Sequence, residues 1–133
     1  MSSKVKAQNE KRDKQWDRLD TLISRNFSAS YMSNAKWVKL LKAACSLYPG
    51  VSEFKYKLVY SDEVKSSIIE QYEEQIDDHW FIEPSIYKEI EWIEFPFDLN
   101  PRLIELEKII DQLGKFEIHH TSTGLRIMGY AKA

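Results

Sequence analysis

The sequence predicts an α+β domain, a four- or five-stranded antiparallel or mixed sheet with about four helices packed on it. Three observations predict it. Apolar residues recur at helical spacing in several stretches, residues 53–60 alternate strictly, and Thr121-Ser122-Thr123-Gly124 separates two β-rich runs as a hairpin turn would. At 133 residues, 43% hydrophobic and with seventeen aromatics, the chain is sized for one domain with a core of large side chains. Residues 15–133 are assigned to that domain, and the polar stretch 1–14 to a flexible or helical N-terminal arm.

From Trp16 a helical stripe runs through Leu19, Leu22, Ile23 and Phe27, and serines 24, 28 and 30 mark a loop after it. Asn34 is the expected N-cap of a second helix, with Trp37, Val38, Leu40, Leu41, Ala44, Cys45 and Tyr48 as its apolar residues. Pro49 and Gly50 stop it, glycine suiting a left-handed cap. Phe54, Tyr56, Leu58 and Tyr60 share one face of a strand, with Lys55 and Lys57 on the other.

Ser61 or Asp62 would cap a third helix carrying Val64, Ile68, Ile69, Tyr72 and Ile76. Residues 77–88 read as a loop, with a short strand near Trp80–Ile82. Residues 89–95 form the next strand, Ile90 and Trp92 facing one way and Ile93 and Phe95 the other. Asn100, Pro101 and Gly114 bracket a helix over 100–113 with Leu103, Leu106, Ile110 and Leu113 buried and Leu99 stapled onto Ile104. Residues 116–120 and 125–131 complete the hairpin.

No catalytic signature emerges, so no catalytic residue, metal site or cofactor is assigned. His119 and His120 are adjacent in a strand and point to opposite faces, which argues against one metal between them. Cys45, the single cysteine, lies on an apolar stripe and reads as a buried, inert small hydrophobe. The paired carboxylates Glu73/Glu74, Asp77/Asp78 and Glu91/Glu94 read as solvated faces, since nothing in the sequence points to a cleft around them. The spacing Gly124 to Gly129 lacks the Lys-Ser/Thr of a phosphate loop.

Charge is unevenly distributed. Residues 1–59 carry 12 basic and 5 acidic side chains, residues 60–98 carry 2 and 12, and residues 99–133 carry 5 and 4. Such asymmetry bears on partners rather than on fold. Within the acidic segment, residues 77–96 interleave acids with Trp80, Phe81, Tyr87, Trp92 and Phe95. Aromatics anchor interfaces and acids steer basic partners, while a bland alternative is a core strand with an acid-coated edge. A pI near 5.9 argues against a nucleic-acid domain, although the N-terminal arm is basic. One cysteine, no apolar leader and no apolar run long enough to span a bilayer lead to a cytoplasmic expectation with no membrane partner.

Ser33-Asn34-Ala35-Lys36-Trp37, Asp78-His79-Trp80-Phe81, Tyr87-Lys88-Glu89-Ile90-Glu91-Trp92-Ile93-Glu94 and Leu125-Arg126-Ile127-Met128-Gly129-Tyr130 resemble an uncharacterised family of small bacterial proteins. That family has an Asn-Xaa-Lys-Trp helix start, a mid-chain Trp-Phe pair and an Ile-Glu-Trp-Ile/Val-Glu strand, and the resemblance covers about residues 32–131. It implies a bacterial cytosolic protein of unknown function and transfers no activity. By type, such small acidic domains also look like immunity proteins, which bind and silence a toxin.

The functional expectation is therefore a non-enzymatic protein-binding module. Asp77, Asp78, Trp80, Tyr87, Glu89, Glu91 and Glu94 would present an acidic, aromatic-flanked surface to a basic protein partner such as a toxin domain. The alternatives are a nucleic-acid-associated regulator using the basic arm, and a hydrolase using carboxylates with His79. Oligomeric state and strand order are not readable from these residues.

Overall fold

The structure, a computed structural model, describes residues 17–71 and 87–132. Among them the order is helix α1 (17–26), β1 (Phe27–Ser30), α2 (Asn34–Ser46), β2 (Glu53–Leu58), β3 (Val64–Ile68), β4 (Ile90–Pro96), α3 (Leu103–Leu113), β5 (Ile118–His120), β6 (Gly124–Met128) and β7 (Tyr130–Lys132), with short 3-10 turns at 69–71, 87–89 and 97–99. The α+β class holds, with three described helices rather than about four. A five-stranded antiparallel sheet runs β3-β2-β4-β6-β5, and β1 and β7 form a separate antiparallel pair.

The helix expected from Ser61 or Asp62 is instead β3, as far as the described residues reach; Tyr72 and Ile76 lie outside them. Val64, Ile68 and Ile69 satisfy a helical period, but Val64, Ser66 and Ile68 also satisfy a period of two. β-Branched residues favour the extended form, and β2 offers a partner two turn residues and a short loop away. The loop expected around Ser28 and Ser30 is β1, a strand that exists through pairing with β7.

Trp37, Leu40, Leu41 and Ala44 form the buried stripe of α2, at spacings of three and four. Its N-cap is Ser33, whose hydroxyl accepts from the Lys36 amide, and not Asn34, which is the first helical residue. Leu103, Leu106 and Ile110 do the same for α3. Both helices pack with Phe54, Tyr56, Leu58, Ile93, Phe95, Leu125 and Ile127 in one core. A smaller cluster joins Phe27, Val59 and Tyr130 to Leu19, Leu22 and Ile23 of α1.

α3 begins at Leu103, not at Asn100. Asn100 is buried and ties strands together: its Oδ1 accepts from the Ser52 and Glu53 amides, and its Nδ2 donates to the Glu53 and Pro96 carbonyls. Leu99 and Ile104, expected as a staple, both remain exposed, as does Leu113. Gly114 follows the helix with φ +148°, a backbone setting that suits glycine. Gly50 has no positive φ; its role is space, since a Cβ there would overlap the Arg102 side chain. Tyr60, expected on the buried face of β2, lies exposed in the turn that follows it.

β4 carries a bulge. Leu58 pairs with Ile90 and Lys57 with Trp92, so Glu91 is the extra residue. The bulge resets the alternation, and Ile90, Ile93 and Phe95 all reach the core. Trp92, expected beside Ile90, lies on the opposite face with Glu94.

Candidate functional site

Asp77, Asp78 and Trp80 lie outside the described residues, as do His79 and the basic stretch up to Lys14. The other four expected site residues do not form one exposed patch. Tyr87 is not at a surface margin but in the core, 2% exposed. Glu89 is half-buried, and its carbonyl accepts from the Val59 amide. Glu91 and Glu94 are each only 3% exposed.

The two buried glutamates have internal partners. Lys57 on β2 lies opposite the bulge, and its Nζ donates to Glu91 Oε1 at 3.0 Å. Glu94 Oε1 accepts from Thr121 Oγ1 at 3.0 Å and Arg126 Nε at 3.1 Å, while Oε2 accepts from Thr123 Oγ1 at 3.0 Å. The Arg126 guanidinium also lies 3.9 Å from the centre of the Trp92 ring. Burying a carboxylate costs several kcal/mol unless a cation and hydrogen bonds replace its water, about the situation here. The two pairs tie β4 to both its neighbours, Glu91 to Lys57 of β2 and Glu94 to Arg126 of β6. The bulge that places Glu91 beside Lys57 leaves no signal in the residue pattern.

The histidines divide as alternation requires. His119 faces Glu117 at 3.0 Å and His120 faces Glu107 at 2.6 Å. No group of three His, Cys, Asp or Glu side chains that could hold a metal ion occurs among the described residues. Cys45, expected to be buried, is partly exposed beside the core.

A cavity of about 220 Å³ lies where β1, the start of α2, the 87–89 turn and the end of β6 meet. Asn34, Trp37, Tyr87, Lys88, Gly129 and Tyr130 line it, so three of the motifs noted above converge there. It is smaller than most ligand pockets. The Lys88 ammonium at its rim is paired with Asp20, and the Tyr130 hydroxyl donates to the Lys88 carbonyl at 2.8 Å.

The acids that do reach solvent are different ones. Asp62 and Glu63 precede β3, Glu70 follows it, and Asp98 lies in the 97–99 turn; all four are exposed. The Glu70 carboxylate accepts from the Tyr48 hydroxyl and raises that phenol above its ordinary value. Between these acids β3 projects Val64, 50% exposed, and Ile68, 37% exposed. The cap expected at Ser61 or Asp62 is a short irregular stretch leading into β3.

Residues 19–133 match the family described as "Family of unknown function (DUF6678)". The chain belongs to that family. The match covers both sheets and the two buried ion pairs. No curated protein and no solved structure matches the chain. No helix among the described residues is long and apolar enough to cross a membrane.

Proposed function

We propose that the protein is a non-enzymatic protein-binding module of a bacterial cytosol, presenting an acidic surface to a basic protein. Capture of a toxin domain by an immunity protein is the class of interaction meant. One observation carries the reading. Residues 60–98 hold twelve acids and two bases, and with Glu91 and Glu94 buried ten acids still remain. Asp62, Glu63, Glu70 and Asp98 are exposed among them. Of the two bases, Lys88 is already paired with Asp20. Toxins that bind phosphates carry basic clefts, for which an acidic surface is a complement. The described carboxylates that are buried have fixed internal partners, which supports binding over carboxylate catalysis.

The test is selection of displayed protein fragments with the purified chain as bait. Enriched fragments are expected to be basic, and their association to slow as salt rises, because exposed charges are screened within about 10 Å at 0.1 M. Asp62→Lys with Glu63→Lys is expected to slow association and leave the fold intact, since exposed charges contribute little to stability. Enrichment of neutral or acidic fragments, with association indifferent to salt, overturns the reading. Enrichment of nucleic acid carried on the fragments would redirect it to the basic arm.

A further inference from the structure

The way a partner would attach is encoded in the phase of the β2–β3 ladder. Among the described residues β3 is one of the two edge strands of the five-stranded sheet, β5 being the other. Its register with β2 pairs Glu53 with Ile68, Phe54 with Ser67, Lys55 with Ser66, Tyr56 with Lys65 and Lys57 with Val64. One step further along the same register, the Ile69 amide donates to the Ser52 carbonyl at 2.7 Å. In an antiparallel ladder, hydrogen-bonded and non-bonded pairs alternate. The bonded pairs are therefore Ser52 with Ile69, Phe54 with Ser67 and Tyr56 with Lys65.

It follows that Lys65 and Ser67 direct their backbone groups at β2, while Val64, Ser66 and Ile68 direct theirs away from the sheet. Among the described residues, no backbone group pairs with that outer edge. The same three residues place their side chains on the sheet face opposite the core, where Val64 and Ile68 are exposed. An edge with outward amides and carbonyls beside apolar side chains is a template for another strand.

The charges decide which strand. A second copy of β3, paired antiparallel about Ser66, would set Val64 against Ile68 but also Asp62 against Glu70, twice over. Like charges directly opposite each other destabilise a ladder. A strand with basic residues at both ends meets Glu70 at one end and Asp62 and Glu63 at the other. We propose that the basic partner binds by strand addition, an extended basic segment pairing antiparallel with Val64, Ser66 and Ile68. This rests on the acidic-surface reading above and adds the backbone geometry to it.

The probe is the synthetic peptide Lys-Lys-Val-Thr-Val-Thr-Val-Lys-Lys. In the proposed register its valines oppose Val64, Ser66 and Ile68, and its terminal lysines reach Asp62, Glu63 and Glu70. Residue-resolved amide exchange is followed by NMR on the full chain. In the free chain the Lys65 and Ser67 amides are expected to exchange slowly and those of Val64, Ser66 and Ile68 quickly. With the peptide added, the latter three are expected to slow about tenfold or more.

A peptide N-methylated on its three valines keeps the charge and removes the donors, and is expected to give no protection. A peptide with glutamates in place of the lysines is expected not to bind. If the N-methylated peptide binds as well as the parent, or the parent binds without protecting the three amides, strand addition is overturned and the acidic-surface reading stands. If the three amides are protected equally in the Asp62→Lys, Glu63→Lys chain and at high salt, the acidic-surface reading fails and the basic character of the segment with it. Protection that grows with protein concentration alone makes the occupant a second copy and overturns the proposal. Absence of any protection at about 1 mM peptide, the weak end of specific affinity, also overturns it.

Discussion

Glu94 and Arg126 face each other across the β4–β6 ladder, and the guanidinium that neutralises the buried carboxylate also covers the Trp92 ring. Arg126→Ala removes the cation and leaves Glu94 desolvated with two threonine hydroxyls. The expected cost is about 2–3 kcal/mol, below the roughly 3–5 of a fully buried pair because Arg126 is partly exposed. The double substitution Glu94→Met, Arg126→Met is expected to cost less than Arg126→Ala, since no unpaired charge is left. Urea denaturation of the parent and the two variants checks this; a double variant less stable than Arg126→Ala would contradict it.

Gly129 joins the two sheets. Its amide donates to the Glu91 carbonyl at the bulge, and its carbonyl accepts from the Tyr31 amide. A Cβ there would sit 2.4 Å from the Ile90 carbonyl oxygen, and one at Gly124 would sit 2.5 Å from that of Phe95. Backbone cannot swing aside as a side chain can, so Gly129→Ala and Gly124→Ala are each expected to cost about 3 kcal/mol or more. Thermal denaturation checks it; a Tm within experimental error of the parent would show that the strands shift freely.

Asn100 satisfies two amides and two carbonyls with one side chain. Asn100→Ala leaves these groups without that partner and is expected to cost about 3 kcal/mol. Asn100→Asp keeps the acceptors but loses the donors and sets a carboxylate against two carbonyls, so it is expected to be no better than alanine at neutral pH. Denaturant midpoints at neutral pH test the order; an aspartate variant as stable as the parent would contradict it.

Burial, and then the nearby Asp20 carboxylate, raise the Tyr130 phenol above its ordinary value. The folded state therefore holds this proton more tightly than the unfolded chain. The resulting stability is fully present below the unfolded phenol's value, about 10, and is lost as pH rises through the higher folded value. Tyr130→Phe is expected to flatten part of that alkaline decline. It also loses the hydrogen bond to the Lys88 carbonyl, about 1 kcal/mol at neutral pH. Denaturation midpoints across the alkaline range check both; an identical slope in parent and variant would remove Tyr130 from the account.

Legibility followed the range of the forces involved. The stripe of α2 was readable because Trp37, Leu40, Leu41 and Ala44 must share one face whatever they pack on. The face of β2 holding Phe54, Tyr56 and Leu58 was readable for the same reason, and so was the β5–β6 hairpin with its local turn. The stretch 64–69 is ambiguous because Val64, Ile68 and Ile69 fit a helical period while Val64, Ser66 and Ile68 fit a period of two. Which acids reach solvent was not legible, since neither the burial of Glu91 and Glu94 nor the exposure of Asp62 and Glu63 is a local property.

Composition and pattern by themselves determined the α+β class, the main buried stripes and the concentration of acids in residues 60–98. These depend on side-chain chemistry and on spacing along one element. Tertiary structure alone decided that β1 is a strand, that Asn100 is a brace rather than a cap, and that Glu91 and Glu94 pair inwards. Each depends on a partner distant in sequence: β7 for β1, Ser52 and Glu53 for Asn100, Lys57 for Glu91, and Arg126 for Glu94. A carboxylate next to an alternating apolar run looks the same whether water or a guanidinium meets it. Only the register of the neighbouring strand says which, because the desolvation of a charge is set by what the fold brings within about 3 Å of it.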